Sequence, residues 1–183
     1  MADHDRLILI TGSMRSGKTG ELARQMDIRS LYKAVLGVNT VDDIRFSSDG
    51  IVTHNGHKKD AVRVKRLKEL RTLELYQKAE VVAIDEGNFY NDLYEFISEE
   101  ILNTTKTFIV SGLNGDKEQK PFGQFNDLFP MADDIRFMRG ICSLCKDGSP
   151  ASFSKQKFDT GKQKFVGGDE VYQTVCRKHF HEA

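Results

Sequence analysis

The chain has 183 residues, enough for one domain with a small appendage and a real core. Its 27 Lys and Arg balance its 27 Asp and Glu, and 39% of residues are apolar; there is no basic excess of the kind that holds a nucleic acid. No apolar run approaches the roughly 18 residues of a membrane span, and the opening MADHDRLILI is unlike a secretory signal, so the expected location is a reducing cytoplasm.

Arg6 to Thr11 (RLILIT) is a short apolar run ending at Gly12, which predicts a buried strand. GSMRSGKT follows, Gly12, Ser13, Met14, Arg15, Ser16, Gly17, Lys18 and Thr19. It matches G-x-x-x-x-G-K-[ST] between a strand and a helix, the context in which that motif cradles a nucleotide's phosphates. The glycines permit backbone angles that side chains forbid, the turned N–H groups form an anion nest, and the helix start adds its positive end. Lys18 is then expected at the β- and γ-phosphates of ATP and the Thr19 hydroxyl on Mg²⁺. Thr19 to Tyr32 reads as a helix, with Leu22, Met26 and Leu31 near helical spacing, and Ala34 to Val38 as a second strand. Asp42 to Asp60 is polar and turn-rich and reads as a mobile loop.

Leu67, Leu70, Leu73 and Leu75 suggest one helix over Val64 to Glu80. Val81 to Ile84 (VVAI) is a third strand and runs into Asp85 and Glu86. An acid at the end of such a strand completes a phosphate-loop site by holding Mg²⁺, a role that falls to Asp85. Glu86 has three candidate roles: activating water in an ATPase, deprotonating a substrate hydroxyl in a kinase, or none. Asp92 to Leu102 reads as a helix, Thr107 to Gly112 as a fourth strand and Ile135 to Gly140 as a fifth. Strands alternating with helices predict an α/β fold with a parallel sheet covered on both faces. Phe89 and Tyr90 sit beside the acids, and Leu113, Phe122 and Phe125 follow the fourth strand. Ligands bind at strand C-termini in such sheets, so Phe89 and Phe122 are assigned to a pocket and Phe125 to the core.

The tail differs. Cys142, Cys145, Cys176 and His179 form C-x₂-C-x₃₀-C-x₂-H, a closed Cys₃His set suited to structural Zn²⁺, with His181 a weaker fourth ligand. Short strands are expected at Ala151 to Lys155 and Gln163 to Gly167. A boundary near Gly140 divides the chain into residues 1–140 and 141–183. Inside the metal-tied loop, Gly167 and Gly168 would let backbone approach a ligand, and Tyr172 offers a ring and a hydroxyl.

These parts in this order resemble the type II thymidine kinases: GSMRSGKT, DIRFS with the TH after it, IDEGNFY, KPFG, the C-x-x-C, and VGGDEVY with VCRKH. The resemblance covers nearly the whole chain. It implies a RecA-like P-loop domain followed by a small zinc-ribbon-like lasso domain, and transfer of the ATP γ-phosphate to the 5′-hydroxyl of thymidine. Carried over, Glu86 is the base and Asp85 organises Mg²⁺. Met14, Asn88, Phe89, Leu113 and Phe122 face thymine, Phe165, Gly167 and Tyr172 belong to the lasso, and Arg45 lies near the phosphates. The family is typically tetrameric and inhibited by dTTP. Arg15 and Lys117 stand where the family usually has aromatics, and Asn88 where it has Gln; these differences bear on which base is accepted, deoxyuridine and deoxycytidine being the neighbouring options.

Overall fold

A computed structural model describes residues 5–41, 51–52, 58–157 and 171–182. In chain order it contains β1 (Leu7–Gly12), α1 (Lys18–Ser30), β2 (Val35–Thr40), β3 (Ile51–Val52), β4 (Lys58–Lys59) and β5 (Ala61–Val64). A 3-10 segment (Leu67–Thr72) and a short α2 (Glu74–Lys78) lead to β6 (Val81–Ile84). A 3-10 turn (Gly87–Phe89), α3 (Leu93–Asn103), β7 (Thr107–Leu113), a 3-10 segment (Asn126–Met131) and β8 (Asp134–Met138) follow. The tail holds β9 (Gly140–Ile141), β10 (Pro150–Ala151), β11 (Phe153–Gln156), β12 (Tyr172–Val175) and α4 (Arg177–His181).

Six strands form one sheet in the order β5-β2-β6-β7-β1-β8, and every pairing in it is parallel. Successive residues of a strand point to opposite faces, which splits the core in two. Leu7, Leu9, Val38, Val82, Ile84, Phe108 and Val110 pack with Leu93, Phe96 and Ile97 of α3. Ile8, Ile10, Val81, Ala83 and Ile109 pack with Leu22 and Met26 of α1. Both helices present apolar residues three or four apart, the spacing of one helical face. Each fully buried side chain of this kind contributes roughly 1.5–3 kcal/mol. Because the strands run in one direction, the ends of β1, β6 and β7 share one edge of the sheet, where open α/β sheets bind ligands.

The α/β parallel architecture is as the patterning predicts, with three local corrections. The helix expected over Val64 to Glu80 is instead the last residue of β5, a 3-10 segment and α2, broken at Leu73, whose backbone is extended (φ −88°, ψ 130°). The physical reason is the spacing itself: Leu67, Leu70 and Leu73 recur every three residues, the period of a 3-10 helix rather than an α-helix, and Leu67 and Leu70 are fully buried. β5 is a sixth strand that the sequence reading did not separate from that helix. The segment read as a mobile loop contains the antiparallel β3–β4 pair, and Ile51 is buried in the core on the α1 side. The strand expected at Gln163 to Gly167 lies outside the described residues, as do Arg45, Phe165 and Gly167.

Candidate active site and metal centre

The phosphate loop joins β1 to α1. Gly12 has φ +150°, and a Cβ there would stand 2.1 Å from the Met138 carbonyl oxygen, so β8 leaves room only for glycine. Gly17 caps α1 in the left-handed region (φ 89°), and Arg15 is left-handed too (φ 56°). Lys18, buried at the helix start, donates from Nζ to the Ser13 carbonyl at 2.7 Å. A charged lysine held over the loop by a carbonyl is poised to exchange that partner for phosphate oxygens. Thr19 is half-buried one residue on.

Asp85 follows β6 and is 5% exposed. Its Oδ1 accepts from the Ser111 hydroxyl and, at 3.0 Å, from the Glu86 N–H. Burial, with the neighbouring Glu86 charge, pushes its carboxyl up to about 6, against those two hydrogen bonds and the Lys18 charge. A carboxylate raised in the folded state is a stability cost that grows as pH rises from about 4 to 6 and is fully present at pH 7. Asp85→Asn, which keeps an acceptor for Ser111 and for the Glu86 N–H, should therefore raise the melting temperature of Mg²⁺-free, nucleotide-free protein at pH 7. The gain should be of order 1–3 kcal/mol and should fade by pH 4.5. A lower melting temperature at pH 7 would show that the buried charge is not penalised. The oxygen donors of Asp85 and Thr19 suit a hard cation such as Mg²⁺.

Glu86 is half-buried and left-handed (φ 53°, ψ 42°). A non-glycine residue held there costs of order 1–3 kcal/mol, a strain that clusters at functional sites. The turn after it places Phe89 edge-on to Phe122, with ring centres 5.6 Å apart. Phe89 is half-buried and Phe122 is 9% exposed. Phe125 is fully buried in the core, as expected. The Asn88 side chain accepts the Leu113 N–H at 3.0 Å, which ties this turn to the end of β7. Met14 and Tyr172 are both half-buried, and burial raises the Tyr172 hydroxyl against the opposing charge of Lys117.

Cys142, Cys145, Cys176 and His179 offer ligand atoms that all lie within 4.8 Å of one another. His179 Nδ1 is 3.4, 3.3 and 3.3 Å from the sulfurs of Cys142, Cys145 and Cys176, and the Cys145 and Cys176 sulfurs are 3.7 Å apart. Tetrahedral Zn²⁺ places such atoms roughly 3.6–3.8 Å apart, so the four residues fit the ion. The chemistry of the set agrees. Burial opposes ionising Cys142, but N–H groups of Cys176, Cys145 and Leu144 outweigh it and bring that thiol down. Burial pushes Cys145 up, and its hydrogen bonds with Cys142 and Cys176 add to the rise. The protein alone favours a thiolate at Cys142 and opposes one at Cys145, which a bound cation would stabilise. His179 Nε2 faces the Glu182 carboxylate at 3.5 Å, the arrangement that orients a metal-bound imidazole. His181 is not in the cluster; its ring lies on Phe180.

A family model described as thymidine kinase matches residues 5–180. The chain belongs to the thymidine kinase family. It is 32% identical to a thymidine kinase of Oryza sativa, over 94% of this chain and 65% of that one, so it spans just under two thirds of that relative. Thymidine kinase a of Arabidopsis thaliana is 34% identical over 94% of this chain and 73% of its own length. The thymidine kinase of Yaba monkey tumor virus is 36% identical over 92% and 91%. Among the described residues, no helix of this family member is long and apolar enough to cross a membrane. The sequence reading missed Ser111, the hydroxyl on Asp85, and Gly123, whose Cβ would stand 2.3 Å from the Asn88 carbonyl oxygen (φ +60°). A glycine directly after an aromatic loop residue was the one available signal for the second.

Proposed function

We propose that this chain transfers the γ-phosphate of ATP to the 5′-hydroxyl of thymidine, giving dTMP. The observation that supports it most is the convergence at one sheet edge of the phosphate loop after β1, the carboxylate pair after β6 and the Phe89–Phe122 pair joined to the end of β7. Lys18 and the loop N–H groups hold the donor phosphates, with Arg45 near them. Thr19 and Asp85 would hold Mg²⁺, which would supply charge neutralisation for the transferring phosphate. Glu86 takes the proton of the 5′-hydroxyl. Phe89 and Phe122 flank the base, with Met14, Asn88 and Leu113 around it, and Phe165, Gly167 and Tyr172 close over it from the lasso. Positioning and charge neutralisation supply most of the rate, and the closed lasso keeps water from taking the phosphoryl group. Cys142, Cys145, Cys176 and His179 hold a structural Zn²⁺ that anchors residues 141–183 on the kinase unit of residues 1–140. A cytoplasmic homotetramer inhibited by dTTP completes the reading.

The test is ADP release with Mg·ATP alone and with thymidine, deoxyuridine or deoxycytidine. Stimulation by thymidine with formation of dTMP is expected. Equal release without any nucleoside would make the protein an ATPase in which Glu86 serves water. The loop carrying Phe122 gives a finer check. Gly123→Ala forces a Cβ onto the Asn88 carbonyl and should raise the thymidine KM by about tenfold or more, with the ATP KM unchanged. Equal KM values for both substrates in variant and parent would remove that loop from the pocket.

A further inference from the structure

The metal-bearing tail touches the phosphate loop at one residue in particular. The Met14 N–H donates to Ser154 Oγ at 2.9 Å, and Thr174 Oγ1 donates to the Met14 carbonyl at 2.6 Å. Ser154 and Thr174 are direct partners across the antiparallel β11–β12 pair, so their side chains project on the same face. Both are buried, at 8% and 4% exposure. Backbone groups of a loop are normally satisfied within it or by solvent; here both polar groups of Met14 are held from another part of the fold. Ser13 Oγ adds a longer contact to the Ala151 carbonyl at 3.4 Å.

The same Thr174 is wired to the cluster. Its carbonyl accepts from the Ser143 N–H at 3.0 Å and from the Ser143 hydroxyl at 3.1 Å. Ser143 lies between Cys142 and Cys145, and Cys176 follows Thr174 by two residues. The turn that carries two metal ligands is therefore fixed to one end of Thr174, and the phosphate loop to the other. Its methyl also has a fixed seat: a Cβ on Gly140 would approach it to 2.9 Å.

We propose that Ser154 and Thr174 are positioning residues for nucleotide binding, which couple the occupancy of the Cys₃His cluster to the shape of the phosphate loop. Neither touches the reacting atoms. Holding Met14 from both sides restricts the residue that precedes the left-handed Arg15, and so presets the nest into which the phosphates dock. The inference rests on the phosphate-loop part of the proposed function and needs nothing from the acceptor site. Coupling of this kind is reciprocal: if the metal favours nucleotide binding, nucleotide must favour metal retention by the same factor.

That reciprocity is the test. The zinc-loaded protein is titrated with the chelator 4-(2-pyridylazo)resorcinol to equilibrium, and zinc affinity is read from the competition with and without saturating Mg·ADP. ADP affinity is measured in parallel by titration calorimetry. In the parent chain Mg·ADP should tighten zinc binding by about fivefold or more, the lower end of common coupling factors. Thr174→Val keeps the branched shape but loses the hydroxyl. It should bind ADP several-fold more weakly and hold zinc with an affinity indifferent to ADP. Thr174→Ser, which restores the hydroxyl alone, should recover the coupling, and Ser154→Ala should lose part of it. A parent chain that binds ADP yet holds zinc with one affinity with and without it overturns the inference and leaves the kinase reading standing. A parent chain that does not bind ADP overturns both.

Discussion

If Glu86 is the base as proposed, Glu86→Gln should lower turnover by about 10²–10⁴-fold, the usual worth of a positioned general base, while ADP and ATP affinities stay at the parent values. The substitution is nearly isosteric and keeps the residue in its left-handed position at the end of β6, so the phosphate loop and the Phe89–Phe122 pair are undisturbed. What it removes is the ability to accept a proton. Glu86→Gly is the informative companion. It relieves the backbone strain at φ 53° and should raise the melting temperature while abolishing turnover, because stability was forgone there to aim the carboxylate. Single-turnover transfer from ATP to thymidine, with melting curves beside it, reads both effects. Turnover in Glu86→Gln within a few-fold of the parent would remove Glu86 as the base and leave Asp85 as the one carboxylate of consequence.

The parts of this site that were legible in the sequence are those written in contiguous residues. GSMRSGKT specifies a turn, a nest and a helix start within eight positions, and VVAIDE is a buried strand that delivers its acids to a sheet edge. The Cys₃His cluster was legible for a similar reason: each of its two pairs is close in sequence, and the structure brings the pairs together. β5 was harder. Its sequence AVRV alternates with Arg63, three of its four residues are only partly buried, and an edge strand of that kind lacks the unbroken apolar run that marked β1 and β6. The leucine spacing that followed was read with the wrong period. Ser111, Ser154 and Thr174 carried no local signal at all. Their roles depend on partners 26, 140 and 160 positions away, a proximity that only the sheet order and the metal cluster create.

Loss of one member of the Cys₃His cluster should be the more damaging change to the fold, if the cluster holds zinc as proposed. Among the described residues of the tail, Cys142, Ala151 and Val175 form one buried apolar cluster, with Cys145, Phe153, Cys176 and Phe180 packed against it. Three of these seven belong to the Cys₃His cluster, so this small core and the candidate metal site share residues. A unit with so little buried area does not hold itself together without a staple, and the binding energy of a structural zinc acts as folding energy. Cys145→Ser should therefore bind well under one equivalent of zinc and open the tail to protease, with new cuts falling after Gly140. The parallel sheet, whose two cores draw on none of these residues, should survive intact and keep its far-ultraviolet dichroism. With the lasso untethered, the thymidine KM should rise by about tenfold or more. Nucleotide affinity should fall less, because Ser154 and Thr174 act on Met14 alone while Lys18 and the start of α1 stay in place. Mass spectrometry of the native protein, a protease time course and initial rates give the three readouts. If the variant keeps a full equivalent of zinc and resists cleavage, three ligands suffice and Cys145 is a core residue; if it loses zinc but still resists, the tail is held by its contacts with the phosphate loop, and the metal is not its staple.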